Sequence, residues 1–476
     1  MAFYEDLKRF GNRPAIADDR GQSLSYRELD EFCARMGQCM EGRRLAFSFC
    51  ENGIPSIGGY VSFLQNRVVP VLLDRNIERG LRDNLIRRYR PEYLYMPREM
   101  AGEIGGYQAI FQEGGYVLCQ AEEENGYPLY EELALLLTTS GSTGSPKLVR
   151  QSYENIQENA ASIAEYLAID SGERPITTLP MNYTYGLSII NSHLLRGATI
   201  LATNATMMDR RFWQFFKEQG ATSFGGVPYT YEMLKKLRFF RMDLPSLKTM
   251  TQAGGKLPPE LHREFAEYAR EQGKRFIVMY GQCEATARMA YLPAEKAVEK
   301  YGSMGIPIPG GRLELIDARG NVISEPDVVG ELVYYGKNVT LGYGESREDL
   351  ARKDERRGRL ETGDMARRDQ EGYYYIVGRK KRFLKIFGNR VNLDETERMV
   401  KGLLSGGDCA CGGVDDHLYV FLAGATEEEA GRVVPFLAEK IKLHPSAFAV
   451  RQLDEIPKNE AGKTQYGKLD AYIEHG

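Results

Sequence analysis

LALLLTTSGSTGSPKLVRQSYENIQENAASIAEYL, residues 133–167, opens on an apolar run suited to a buried strand and passes through a loop of glycines and hydroxyl residues. It closes on apolar positions Ile156, Ala160, Ile163 and Leu167 at helical spacing. Strand, glycine-rich turn and helix in succession form the repeating unit of an α/β protein. In the loop, Gly141 and Gly144 let backbone N–H groups close on a polyphosphate, the hydroxyls of Thr139, Ser140, Ser142 and Thr143 add donors, and Lys147 contributes a point charge. A flexible linker has no use for that set behind a buried strand, so the segment reads as a phosphate loop. Gly462-Lys463-Thr464, near the end of the chain, has a similar look without the signature. G-x-x-x-x-G-K-[ST] needs a glycine where Pro457 stands, and no apolar strand leads in.

The alternation extends to both sides. Over residues 1 to about 130, helix-like "SYRELDEFCARMGQCM" alternates with the apolar runs "RLAFSF" and "VVPVLL". Residues 131–310 continue as a second α/β unit, with strand-like "LALLL", "ATILA" and "FIVMY". From about 311 the chain turns strand-rich ("GRLELID", "GELVYYG", "GYYYIVG"). The expected organisation is a large N-terminal domain, residues 1–378, of two α/β units plus a β-rich unit, followed by a small α+β C-terminal domain, residues 379–476. In the latter, "LDETERMVKGLL" predicts a helix with Asp394 as N-cap and Glu397 closing a capping box. "HLYVFLAG" predicts a strand, and "TEEEAGRVVPFLAEKI" a helix kinked or broken at Pro435.

A chain of 476 residues exceeds one ordinary core. With Lys plus Arg at 62 and Asp plus Glu at 66, the net charge of −4 gives no field that favours nucleic acid or an anionic membrane, so small-molecule partners are expected. No run approaches the roughly 20 apolar residues of a membrane span, and "MAFYEDLKRFGNRP" is too charged for a signal peptide, which together predict a cytoplasmic protein. Seven cysteines, with no CxxC pair and no histidine cluster nearby, argue against a disulfide framework and a zinc site. Six of them (33, 39, 50, 119, 409, 411) are expected to be small buried hydrophobes.

"TTSGSTGSPK" resembles the phosphate loop of the acyl-adenylate-forming superfamily, the AMP-binding enzymes that include acyl-CoA synthetases, peptide-synthetase adenylation domains and firefly luciferase. The resemblance continues in order through "TQAGGKLPPEL", "YGQCEAT", "GSMGIPIPG", "GELVYYGKNVTLGY", "TGDMARRDQEGYYYIVGRKKRFLKIFGNRV" and "IPKNEAGKT". It implies a ligase that activates a carboxylic acid with ATP and Mg²⁺ through an acyl-adenylate. The acyl group then passes to the thiol of coenzyme A or of a carrier protein's phosphopantetheine.

Residue by residue, the resemblance implies an adenine slot at Ala253, Gly254 and Gly255, whose small size admits a flat ring, with Tyr280 as the opposing aromatic face and Gly281 and Gln282 beside it. Glu284 falls where the family places its Mg²⁺ carboxylate; Cys283 stands where the family usually has threonine. Asp364 matches the ribose acceptor and Arg379 a nucleotide contact. Lys381 matches the hinge of a mobile small domain, and "FGNRV" the segment that completes a thiol tunnel. Lys463 matches the lysine that this domain swings onto the carboxylate and α-phosphate.

The acid pocket is expected at Tyr183, Tyr185, Gly186, Val227 and Tyr229. Peptide-synthetase domains hold an α-ammonium group with an aspartate just after the aromatic position, where this chain has Thr184. An unpaired ammonium is costly in a closed pocket, which disfavours the alternative of an amino-acid-activating enzyme. Three tyrosines predict a hydroxylated, short or aromatic acid. A non-catalytic nucleotide-binding protein, the other alternative, would lack Lys463 or Glu284, and both are present.

Overall fold

All six residues of the strand Leu45–Cys50 and five of the six in Val69–Asp74 are buried, the pattern of parallel strands covered on both faces. They pair in parallel from Leu45↔Val69 to Cys50↔Asp74. They form the centre of an eight-stranded sheet ordered Gly342–Gly344, Leu148–Ser152, Leu133–Thr138, Val69–Asp74, Leu45–Cys50, Tyr93–Pro97, Tyr116–Ala121, Tyr107–Glu113. The helix Tyr26–Gly37 starts at a capping box between Ser25 and Glu28 and packs on the helix Ile54–Gln65. This computed structural model describes residues 2–123, 127–138, 147–380, 382–387, 389–414, 416–458 and 464–473. Thr139, Ser140, Gly141, Ser142, Thr143, Gly144, Lys381 and Lys463 lie outside the described residues.

A nine-stranded sheet runs Ile306–Pro307, Ala290–Tyr291, Arg275–Tyr280, Thr249–Gln252, Ser223–Gly226, Pro175–Ile176, Ile200–Ala202, Pro14–Asp18, Ser23–Ser25. The two sheets exchange strands, which corrects the expected division near residue 130. Pro14–Asp18 pairs in parallel with Ile200–Ala202, and Leu133–Thr138 pairs with Val69–Asp74. A second correction concerns the opening segment. Its loop does not feed a helix directly. Leu148–Ser152 returns antiparallel to Leu133–Thr138, and the helix Tyr153–Tyr166 begins only after it, capped by Ser152. The run Leu148, Val149 is apolar and entirely buried, which makes it a strand before the helical period starts.

The chain forms two compact units, Met1–Leu313 with Tyr334–Leu360, and Glu314–Val333 with Glu361–Gly476. The second contains most of a four-stranded sheet, the ribbon Phe383–Ile386 with Asn389–Asn392, and a three-stranded sheet of Asp408–Val414, His417–Ala423 and Phe448–Leu453. Its helix Leu393–Lys401 starts two residues earlier than an N-cap at Asp394 would give. Asn392, not Asp394, is the N-cap and accepts from the N–H groups of Asp394 and Glu395. Asp394 is thereby free to accept from Arg379 N (2.9 Å) and to pair with Arg382 Nε (2.7 Å), while Glu397 accepts from Cys411 N (2.7 Å) and the Tyr466 hydroxyl (3.0 Å). The helix Glu427–Ile441 runs unbroken through Pro435. The carbonyl that a proline ring crowds belongs to the residue four places earlier, here Gly431, whose backbone yields most easily. The seven cysteines are free thiols, and Cys39 is half-buried, unlike the other five expected in the core.

Candidate active site

The strand Arg275–Tyr280 buries Phe276 to Met279 and delivers Tyr280 and the turn behind it. Gly281 has to be glycine for a backbone reason: a Cβ there would lie 1.6 Å from the Ala287 carbonyl oxygen. After Cys283–Ala285, Thr286 sits at φ +63, ψ −50, and the Ala287 N–H donates across it to the Ala285 carbonyl at 2.7 Å. That is a γ-turn of the rare positive-φ kind, strained for a β-branched residue. Tertiary bonds hold it. The Thr286 hydroxyl donates to the Asn338 carbonyl (2.7 Å), the Thr184 hydroxyl donates to the Thr286 carbonyl, and Asn338 Nδ2 donates to the Ala285 and Arg288 carbonyls, both at 2.9 Å.

This turn presents Glu284. Its Oε1 accepts from the Tyr343 hydroxyl at 2.7 Å, and its other carboxylate oxygen has no hydrogen bond or ion pair among the described residues. Burial, reinforced by the Glu284 charge, pushes the Tyr343 hydroxyl up to about 12, so it is a neutral donor. The Arg356 guanidinium lies 4.6 Å over the Tyr343 ring, and its Nη1 donates to the Glu284 carbonyl at 3.3 Å. Lys147 approaches the same ring at 5.7 Å and pairs with Glu345 at 2.7 Å. No group of three His, Cys, Asp or Glu side chains suited to a metal occurs among the described residues. One hard carboxylate oxygen fits Mg²⁺, which is ordinarily held by one or two carboxylates plus substrate phosphates and water. Tyr343 and Arg356 were missed from sequence. Tyr343 ends the quoted "GELVYYGKNVTLGY", so its placement in a family segment was the available signal; Arg356 had none.

Val227, Ala253 and Tyr185 share one buried cluster, with Tyr183 packed against it. The Tyr185 hydroxyl donates to the Thr251 carbonyl at 2.9 Å, and burial raises the Tyr183 hydroxyl. Gly254 takes φ +84, with a would-be Cβ 2.7 Å from the Tyr183 oxygen. Gln252 Nε2 staples the turn by donating to the carbonyls of Ala253 (3.2 Å) and Gly255 (2.9 Å). Tyr280 is half-buried, and its hydroxyl accepts from Gln282 Nε2 at 3.3 Å. Gly186 lies where a Cβ would meet the Pro180 carbonyl at 2.3 Å. Tyr229, second residue of the helix Pro228–Lys236, is 54% exposed. The structure therefore gathers Tyr183, Tyr185, Val227, Ala253 and Gly254, and leaves Tyr229 on the surface.

In the second unit, Asp364 and Arg379 are cross-strand partners, and their side chains pair at 2.7 Å. The Asp364 N–H donates to the Thr362 hydroxyl (3.0 Å), which donates in turn to the Leu332 carbonyl (2.7 Å). The stems on either side of Lys463 are joined: Lys458 and Thr464 form an antiparallel bridge, and Gln465 N donates to the Pro457 carbonyl at 2.8 Å.

Residues 102–344, just over half of the chain, match the profile of the family described as AMP-binding enzyme. The chain is 25% identical over 501 residues to a 3-hydroxybenzoate–CoA ligase of Aromatoleum sp. (strain CIB), covering 98% of this chain and 94% of the relative. It is 27% identical over 352 residues to a 2-succinylbenzoate–CoA ligase of Bacillus cereus (strain ATCC 14579), covering 72% and 71%. Among solved structures, an O-succinylbenzoate coenzyme A synthetase from Bacillus subtilis, in complex with ATP and magnesium ion, shares the fold with a TM-score of 0.79 at 21% identity, covering 98% of this chain and 99% of that one. With a profile match of that extent over strands, loop and carboxylate turn, the chain belongs to the AMP-binding enzyme family.

Proposed function

We propose that this protein is an acid–thiol ligase. A carboxylate oxygen of the acid attacks the α-phosphorus of ATP, the bond to pyrophosphate breaks, and an acyl-adenylate forms. A thiol sulfur then attacks the acyl carbon, AMP leaves, and the thiol proton passes to solvent. The observation that carries this reading is the Glu284 carboxylate, fixed on one oxygen by Tyr343 and, among the described residues, unengaged on the other, in a chain of this family. Mg²⁺, when bound there, neutralises charge on the phosphate oxygens. Tyr343 and the strained turn at Thr286 fix where Glu284 points. Lys147 exchanges its exposed pairing with Glu345 for phosphate, alongside the loop 139–144. Ala253, Gly254, Gly255 and Tyr280 take the adenine, and Asp364, flanked by Arg379, takes the ribose hydroxyls. Lys463, carried by a C-terminal domain that pivots at Lys381 beyond residue 378, meets the charge at the α-phosphate in the first step and withdraws for the second.

Thr184, whose hydroxyl is spent on the Thr286 carbonyl, offers nothing to an α-ammonium group, which supports a plain organic acid over an amino acid. The relatives named for 3-hydroxybenzoate and 2-succinylbenzoate support an aromatic or hydroxylated one. Coenzyme A is the thiol those names carry, with a carrier-borne phosphopantetheine as the second acceptor. Pyrophosphate release with a panel of acids, then thioester formation with coenzyme A and with a carrier protein added in turn, tests the reading. Release with no acid would refute it.

A further inference from the structure

Arg288 is 1% exposed, and no carboxylate pairs with it among the described residues. Its Nη2 donates to the Ser188 hydroxyl (3.0 Å), its Nη1 faces the Tyr166 hydroxyl (3.4 Å) and the Met279 sulfur, and its plane lies 4.2 Å over the Tyr185 ring. Nε has no partner. A guanidinium taken wholly out of water ordinarily has a counter-ion, and hydroxyls, a thioether and a ring face do not supply one. This arginine lines a chamber of about 20 Å³ together with Ile189, Gly225 and Thr251. That is little more than the roughly 10–15 Å³ a single water requires, so the chamber suits a small polar head and not an alkyl chain. The other charges around it do not reverse its sign. Glu173 is engaged by Lys248 (3.6 Å) and the Thr222 hydroxyl, burial holds His193 neutral, and among the described residues the Arg275 side chain donates to the Thr249 hydroxyl and the Leu167 carbonyl. Ile189 belongs to the same buried cluster as Tyr185, Val227 and Ala253.

We infer that Arg288 is a specificity-determining residue and that the acid carries a second anionic group, a distal carboxylate, which enters this chamber and pairs with the guanidinium. The inference rests on the proposed acid pocket and deepens it. Its test uses length-matched acids that differ only in a terminal methyl or carboxylate: butyrate against succinate, hexanoate against adipate, and 3-methylbenzoate against isophthalate. Pyrophosphate release and thermal stabilisation are measured for the wild type, Arg288→Met and Arg288→Lys. For at least one pair the wild type should prefer the diacid by about tenfold or more in kcat/KM, and that diacid alone should raise the Tm. Arg288→Met should abolish both effects, its kcat/KM falling about tenfold or more further with the diacid than with the matched monoacid, and Arg288→Lys should keep part of the preference. Monoacids preferred at every length, or equal losses on both members of each pair in Arg288→Met, would overturn the inference. Should Arg288→Met fail to fold, the wild-type preference and Arg288→Lys decide it. Should no acid release pyrophosphate, the ligase reading falls, and the Tm shift still decides whether Arg288 holds a second carboxylate.

Discussion

Tyr343→Phe removes one hydroxyl and leaves the ring beneath Arg356, so it isolates the 2.7 Å bond to Glu284. A hydrogen bond to a charged group contributes about 1.5–3 kcal/mol. Tyr343 is only half-buried, which places this bond at the low end, about 1.5 kcal/mol and hence about tenfold in an equilibrium. The loss falls on the orientation of the metal carboxylate, and outer-shell partners of metal ligands carry effects of that size, about 10- to 100-fold in metal affinity. At fixed ATP, the Mg²⁺ concentration for half-maximal pyrophosphate release should rise about tenfold, with kcat at saturating Mg²⁺ within about twofold of wild type. Because the hydroxyl titrates only at about 12, the ratio of the two proteins should stay flat between pH 6 and 9. An unchanged Mg²⁺ midpoint, or a kcat loss that saturating Mg²⁺ does not restore, would refute the reasoning.

Lys463→Ala should slow acyl-adenylate formation by a few hundredfold, the cost of one oxyanion-type donor, and leave thioester formation from a supplied acyl-adenylate nearly untouched; the half-reactions are timed separately, and a joint loss would sink the mobile-lysine account. Glu92 and Arg347, 7% and 1% exposed, pair at 2.6 Å, so Glu92→Ala should cost about 3–5 kcal/mol in denaturant unfolding, and a loss under 1 kcal/mol would contradict the buried-pair reading. Burial holds His193 and His262 at about 4 against 6.5, so on acidification the unfolded chain takes up protons first. Their contribution is whole above pH 6.5 and drains away down to about 4; His262→Gln should flatten the fall of Tm over that window, and an unaltered slope would show that His262 titrates normally.

Local chemistry was legible where it suffices to decide structure. The apolar runs at 45–50, 69–74 and 133–138 are strands, and the period through Ile156, Ala160 and Ile163 is a helix. What escaped depended on distant partners. The bond from Tyr343 to Glu284 spans 59 positions, and that from Arg288 to Ser188 spans 100, separations at which no periodicity signals contact. Asp394 has the right chemistry for a cap, but Asn392 competes two places earlier, and only the path of the ribbon 383–392 decides between them. Gly281 looked like a nucleotide contact by motif, and its geometry supplies a backbone reason as well.

The exchange of strands between the two sheets bears on how the protein is made. Ile16 pairs with Ile200, and Leu148 with Gly344, so each sheet waits for a strand translated much later. At about 5–20 residues per second, the N-terminal strand stays without its parallel neighbour for roughly ten to forty seconds of synthesis. During that time it is an apolar edge available to any other chain. Cutting the gene near codon 130 separates Pro14–Asp18 from Ile200–Ala202 and Val69–Asp74 from Leu133–Thr138, so both sheets are left incomplete. Because slower translation lengthens the exposure of that edge, a chaperone that covers Pro14–Asp18 during synthesis should improve the yield of the full chain.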